Sequence, residues 1–385
     1  MRILINAVAM KVAGSKSVCM NFLRSLEMVG KEHEYYVFLP GGVGYENFKE
    51  KDYLNIKFIP IYFTKPVFRY YIDHIYLKKQ INKIHPDAIF SMGNIALPVN
   101  TIPQLLLFHM SHAVYPESTY WKRIGWESRL RFKLLVREIR RKFKYATCIA
   151  AQTNSIKNRL SNLFELEGKV LVIPNAVSLD AVRIGESKAE KNKGGNIGIK
   201  TFRFLCLSRY YEHKNIEIFI PLATLIKERK LKYKIIITIN PRQHKKAAEF
   251  LGKVIELDLG DIIENIGLVK LEDVHAAYRN ADALILPTLL ESFSGTYIES
   301  AFYQKPVFTS DIDFAHEVCG NSAIYFDPEN PLDILMKMLL IEDNTFINNK
   351  VNLAIENLKR FPDWQLVTEL YLKELGKIVI PENKR

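Results

Sequence analysis

The chain has 385 residues, 48% of them hydrophobic and 25% charged, a composition that provides a buried core and excludes a low-complexity or disordered protein. Its length exceeds one ordinary core and predicts two domains of roughly 150–200 residues each. The net charge of +12 points to an anionic partner, but no nucleic-acid-binding motif accompanies it, so nucleic acid is not expected.

Met1-Arg2 leads into Ile3-Leu4-Ile5 and then polar Asn6, with no secretory h-region. No later run approaches the roughly 18 apolar residues of a spanning helix. Cys19, Cys148, Cys206 and Cys319 lie far apart and form no CxxC pair, which fits a reducing compartment. The expected location is cytoplasmic, or peripheral on the inner face of a membrane.

In chain order, short β-rich runs alternate with helical patterns, the signature of parallel sheets crossed by helices. Strands are predicted at 3–7, 35–39, 56–60, 88–91, 105–108, 147–150 and 170–173, with helices at 18–29, 71–84 and 155–164. Gly14 lies in a turn after the first strand, and His109 stands at the end of the fifth, with His112 a step beyond. A histidine there suits orienting a hydroxyl or handling its proton.

Residues 116–145 carry ten lysines and arginines against three glutamates, a local excess of seven positive charges. Trp121, Lys122, Arg123, Trp126, Arg129, Arg131 and Lys133 typify the mixture, and Ile124, Leu130, Leu134 and Phe143 are interleaved with it. Such a stretch predicts an amphipathic helix, suited to an anionic bilayer or to packing on its own domain.

The first domain is assigned to 1–178 and a polar, glycine-rich linker to 179–200. A second domain then spans 201–360, with strands at 202–207, 234–238, 262–266, 283–286, 307–309 and 323–326 and helices at 216–228, 274–279, 296–303 and 332–340. An amphipathic helix within 361–385 closes the chain, with a frayed tail from 381.

Two elements of the second half carry chemistry. Ser208-Arg209-Tyr210-Tyr211-Glu212-His213-Lys214 follows a strand, where ligands of open parallel sheets bind, and its two cations match a diphosphate. Glu291-Ser292-Phe293-Ser294-Gly295-Thr296-Tyr297-Ile298-Glu299 joins a strand to a helix and sets two carboxylates eight positions apart. Helix N-terminal amides suit phosphate and carboxylates accept from sugar hydroxyls, so the combination reads as a nucleotide-sugar site. Asp311-Ile312-Asp313 has the spacing of a metal motif, but Arg209 and Lys214 already supply positive charge, and no metal is assigned.

These motifs, with Ile173-Pro174-Asn175-Ala176-Val177, Asn265-Ile266-Gly267 and Ala281-Asp282-Ala283-Leu284-Ile285-Leu286-Pro287-Thr288, occur in the order found in family 4 (group 1) retaining glycosyltransferases. The chain resembles that family over most of its length. The resemblance implies the α/β GT-B fold: two Rossmann-like, doubly wound parallel-sheet domains facing a cleft, with the terminal helix crossing back to the N-terminal domain. It also implies that Arg209 and Lys214 bind the donor diphosphate, Glu299 holds the ribose hydroxyls and Glu291 lies at the transferred sugar. Phe293, Ser294, Gly295, Thr296 and Gly14 would line the donor, and His109 would stand near the reacting sugar.

Ser292 and Ser294 replace glycines usual in the family, and the glycine pair usual around Gly14 is missing. The implied activity is hexosyl transfer, with retention, from a UDP- or GDP-linked sugar to a saccharide or lipid-linked saccharide in cell-surface polysaccharide or glycolipid synthesis. The implied cofactor is none, the transfer being metal-independent. Two other readings stand beside it: a nucleotide-sugar epimerase of the same architecture, and a noncatalytic basic protein binding membranes or nucleic acid.

Overall fold

The computed structural model describes residues 1–11, 13–176 and 201–379; the linker assigned to 179–200 and the tail from 381 lie outside the described residues. The chain divides into two units. One comprises Met1–Tyr115, Trp126–Ala176 and Pro362–Arg385, the other Pro116–Gly125 and Val177–Phe361.

In the first unit, β1 (Arg2–Asn6), β2 (Glu34–Pro40), β3 (Leu54–Ile59), β4 (Ala88–Ser91), β5 (Gln104–Leu107), β6 (Cys148–Ala151) and β7 (Val170–Val172) form one sheet in the order β3-β2-β1-β4-β5-β6-β7. Every pairing is parallel. β4 and β5 are buried along their whole length, as strands covered by helices on both faces must be, which is why they read as continuous apolar runs.

The Ala13–Val29 helix and the terminal Trp364–Val379 helix share one core with this sheet. Phe22, Phe90 and Tyr371 meet there with ring centroids 4.9 to 5.9 Å apart, each burial worth roughly 2–3 kcal/mol. A second core, of Leu4, Phe38, Ile72, Leu77, Ile81 and Ile84, packs elsewhere in the unit. The single helix expected at 71–84 is instead Pro66–Tyr71, a π-turn at Ile72–Tyr76, and Leu77–Ile84. The spacing explains the difference: Ile72 and Leu77 are five positions apart, so one wide turn is needed to bring both onto the buried face.

In the second unit, β8 (Phe202–Cys206), β9 (Tyr233–Ile237), β10 (Ile263–Asn265), β11 (Ala283–Leu286), β12 (Val307–Ser310) and β13 (Ala323–Phe326) form a parallel sheet in the order β10-β9-β8-β11-β12-β13. The Lys245–Glu256, Asp313–Cys319 and Asn344–Leu358 helices are additions to the expected elements. The last begins where Asp343 accepts from the Phe346 amide at 2.9 Å, a capping signal that its polar sequence obscured.

Residues 116–125, expected in the first domain, cluster with the second unit. Ser118 Oγ donates to the Leu289 carbonyl at 3.1 Å, and Arg123 bonds both Asn215 and Glu329. Among the described residues no helix is long and apolar enough to cross a membrane.

Candidate active site

Both sheets follow one plan. The first strand of each lies between the second and the fourth, so the order of growth reverses beside it, and loops leaving the carboxyl ends of those two strands part to leave room for a ligand. In the second unit these are the loops after β8 and β11, which carry Arg209, Lys214 and Glu291.

The two loops are tied together. The Leu289 amide and Thr288 Oγ1 donate to the His213 carbonyl at 2.8 and 3.2 Å. Lys214 is ion-paired with Glu291, each side chain about one-sixth exposed (15% and 16%). Asn215 then holds a left-handed backbone, φ +56°, tolerated by its short polar side chain. It is fully buried, donates to the Pro328 carbonyl at 2.7 Å and accepts from Arg123. Arg209, on the same loop, is exposed and has no ion-pair partner among the described residues.

The Gly295–Phe302 helix starts after Ser294. No side chain caps it: Ser294 Oγ instead meets Thr296 Oγ1 at 2.8 Å, leaving first-turn N–H groups for an anion. No residue from 291 to 295 adopts a positive φ, so Ser292 and Ser294 are accommodated where glycines were expected. Phe293 turns its ring edge-on to Phe361, 6.1 Å away, so its side chain serves packing.

Glu299 lies one turn into that helix. Tyr278 Oη donates to its carboxylate at 3.2 Å, and burial nonetheless pushes the carboxyl above its ordinary range, the tyrosine offsetting only part. Tyr278 stacks on Tyr303 at 4.8 Å. Neither tyrosine was signalled by sequence, since they approach Glu299 from a different helix and from the same helix's end.

In the first unit, His109 follows β5. Its amide donates to Asn94 Oδ1 at 2.7 Å, and Asn94 Nδ2 lies 3.4 Å from its Nε2. Asn94 follows β4 with φ +64°, next to Gly93, where a Cβ would come within 2.6 Å of the Ala9 Cβ. Only glycine fits that approach of the loops after β1 and β4.

Burial pushes His109 down to about 4, so its ring is neutral near pH 7. Its Nδ1 is buried and has no hydrogen-bond partner among the described residues. His112 is likewise pushed down to about 4 by burial, its ring stacked on Phe132 at 4.7 Å. Gly14, expected in a loop, is exposed within the first turn of the Ala13–Val29 helix: the helix starts earlier than periodicity implied.

The basic stretch is two helices, Tyr120–Arg123 and Trp126–Lys142, divided at Gly125 and assigned to different units. Arg123 is committed to Asn215 and Glu329, and Trp121 packs on Tyr120 at 5.1 Å. Ile124 and Phe143 are buried. None of these four belongs to a membrane face. Trp126, Leu130 and Leu134, four residues apart, form an exposed apolar stripe, with Arg129, Arg131 and Lys133 exposed on the same helix and Lys122 exposed on the shorter one. Asp311 is paired with His316 at 2.6 Å, and Asp313 Oδ1 accepts from the Phe314 amide at 2.8 Å.

Comparisons with known proteins agree with this geometry. Residues 12–181 match the family described as Glycosyltransferase Family 4, and residues 201–344 match Glycosyl transferases group 1. The chain is 25% identical over 236 residues to the O-antigen chain mannosyltransferase RfbU of Salmonella typhimurium, an alignment spanning 60% of each protein. Its fold is that of sucrose-phosphate synthase from Thermosynechococcus elongatus (TM-score 0.74, 14% identity, 98% of this chain and 99% of that one). It is also that of HepE from Anabaena, solved with UDP and glucose (TM-score 0.69, 14% identity, 98% and 99%). With both halves matched in order and a parallel sheet of reversing strand order in each, the chain belongs to the family 4, group 1 glycosyltransferases and is an enzyme of the GT-B fold.

Proposed function

We propose that this glycosyltransferase moves a hexose, with retention, from a UDP- or GDP-linked sugar to a hydroxyl of a saccharide or lipid-linked saccharide in the synthesis of a cell-surface polysaccharide or glycolipid. The observation that carries the donor reading is the Lys214–Glu291 pair between the loops leaving β8 and β11. The likeness to an O-antigen mannosyltransferase supports the acceptor class.

As the nucleoside diphosphate departs, negative charge grows on phosphate while the anomeric carbon becomes cationic. Arg209, with no competing ion pair among the described residues, and the uncapped Gly295–Phe302 terminus meet that charge with groups already in place, and Lys214 joins them once its pair with Glu291 opens. The leaving group is therefore neutralised without a metal. Glu291 releases Lys214 to the diphosphate and turns to the sugar hydroxyls, and Glu299 accepts from the ribose.

His109, pushed down to about 4, is a weaker base than a phosphate, whose second ionisation is near about 6. In this reading the leaving phosphate takes the acceptor proton in a front-face attack, while neutral His109 orients the hydroxyl. The exposed Trp126–Leu134 stripe and its flanking cations support a peripheral position on an anionic cytoplasmic membrane face.

Thermal-shift titration with UDP, GDP and ADP tests the proposal, because a ligand bound only by the native state raises its apparent stability. Stabilisation by UDP or GDP that survives EDTA is expected. No shift with any of the three, or a sugar-altered product formed without acceptor, overturns it.

A further inference from the structure

We propose that the surface at residues 58–75 of the first unit is a membrane-inserting element for an anionic lipid bilayer, a second contact beside the basic helix; this rests on the peripheral-membrane reading above. Phe58, Ile61, Tyr62, Tyr70, Tyr71 and Ile75 are all at least 40% exposed, Tyr70 reaching 67%. That is a dense collection of large apolar groups on a surface, and it sits beside β3, the edge strand of its sheet.

The patch is built rather than frayed. Tyr62 packs on Phe68 at 4.6 Å and Phe63 meets both rings at 5.8 and 5.7 Å. Lys65 Nζ lies 4.9 Å above Tyr62, and Tyr70 stacks on His74 at 4.1 Å. Below it, Lys11 Nζ donates to the Thr64 carbonyl at 3.0 Å. The π-turn at Ile72–Tyr76 permits the display: it keeps Ile72 and Leu77 in the core while Tyr70, Tyr71 and Ile75 face outward.

Charge selects the occupant. From 57 to 79 the chain carries Lys57, Lys65, Arg69, Lys78 and Lys79 against Asp73 alone, and Asp73 is buried and bonded through both oxygens to Arg69 at 2.8 Å. A second copy of this surface would be repelled, whereas anionic lipid is attracted. Tyrosines, apolar in body and polar at the tip, belong at headgroup depth. Lys142 Nζ, 2.9 Å from His74 Nε2, joins the patch to the helix bearing Trp126, Leu130 and Leu134.

Flotation of the full chain with phosphatidylcholine vesicles, alone and mixed with phosphatidylglycerol, at low and high salt, is the test. Tyr62→Ser/Tyr70→Ser/Tyr71→Ser, all on exposed side chains, should reduce the fraction bound to mixed vesicles by about tenfold or more, and the loss should persist at high salt where apolar insertion dominates. Arg129→Gln/Arg131→Gln/Lys133→Gln should lose mainly the salt-sensitive part. UDP- or GDP-induced stabilisation should be the same in both variants, so a failure of the donor reading shows separately. The proposal is overturned if the tyrosine variant floats like the wild type, if neutral vesicles bind equally well, if the wild type binds no vesicle, or if light scattering finds a wild-type dimer that the tyrosine variant abolishes.

Discussion

The two units share a strand order but furnish its reversal point with opposite chemistry. Around β8 and β11 stand ions: Lys214 against Glu291, exposed Arg209, and Glu299 with its carboxyl held high by burial. Around β1, β4 and β5 stand neutral groups: Asn94 bonded to His109, and His109 and His112 both pushed down to about 4. A departing diphosphate needs counter-charge, whereas an incoming hydroxyl needs alignment and a site that does not compete for its proton. On the function proposed above, the charged site would serve the leaving group and the neutral one the nucleophile.

The largest expected effect removes the charged side of this contrast. Arg209→Ala/Lys214→Ala should lower kcat/KM about a thousandfold or more, as the loss of preorganised charge at a developing anion implies, with an unchanged circular dichroism spectrum; near-normal turnover would sink the leaving-group account. Lys214→Ala alone also strands Glu291, so its melting temperature should fall more than that of Arg209→Ala, which breaks no ion pair.

A middle-sized effect concerns Glu299. If ribose hydroxyls donate to the ionised carboxylate, as proposed, donor affinity should be full above its raised pKa and weaken as pH falls through it. Glu299→Gln should bind nucleotide about tenfold more weakly and lose that acid-side dependence. A wild-type affinity flat in pH, measured by calorimetry, would contradict the assignment.

The smallest effect is on the neutral side. His109 and His112 take protons at an ordinary histidine pKa when unfolded but only near about 4 when folded. The unfolded chain thus binds more protons between about 6.5 and 4, so the stability they share is intact above that window and lost as pH falls through it. His109→Asn/His112→Gln should flatten the drop in melting temperature across that window; a double variant as acid-sensitive as the wild type would remove the histidines from the explanation.

Sequence disclosed the strands well because strands buried on both faces read as plain apolar runs, Ala283–Leu286 and Ala323–Phe326 among them. It located Lys214 and Glu291 on their loops and Glu299 in its helix because loop and helix start can be read from the strand before them. It misplaced Arg123 because a cation in a basic stretch looks like its neighbours until Asn215, 92 positions on, is seen to accept from it. Tyr278 beside Glu299 and Asn94 beside His109 were silent for the same reason: each pairing joins segments that meet only after the sheet has formed. The outward-facing tyrosines escaped notice because an extra residue in a turn rotates the preceding side chains by about 100°.

The Trp364–Val379 helix supplies Val367, Tyr371 and Leu375 to the interior that holds Phe22 and Phe90. A ribosome making this protein releases the opening segment early but delivers those three side chains only after some two hundred further residues of the second unit have emerged. Until then the nascent N-terminal sheet lacks one wall, and its aromatic groups are available to chaperones or to one another. Synthesis order thus leaves uncovered, for a time, apolar surface of the first unit that the finished fold buries.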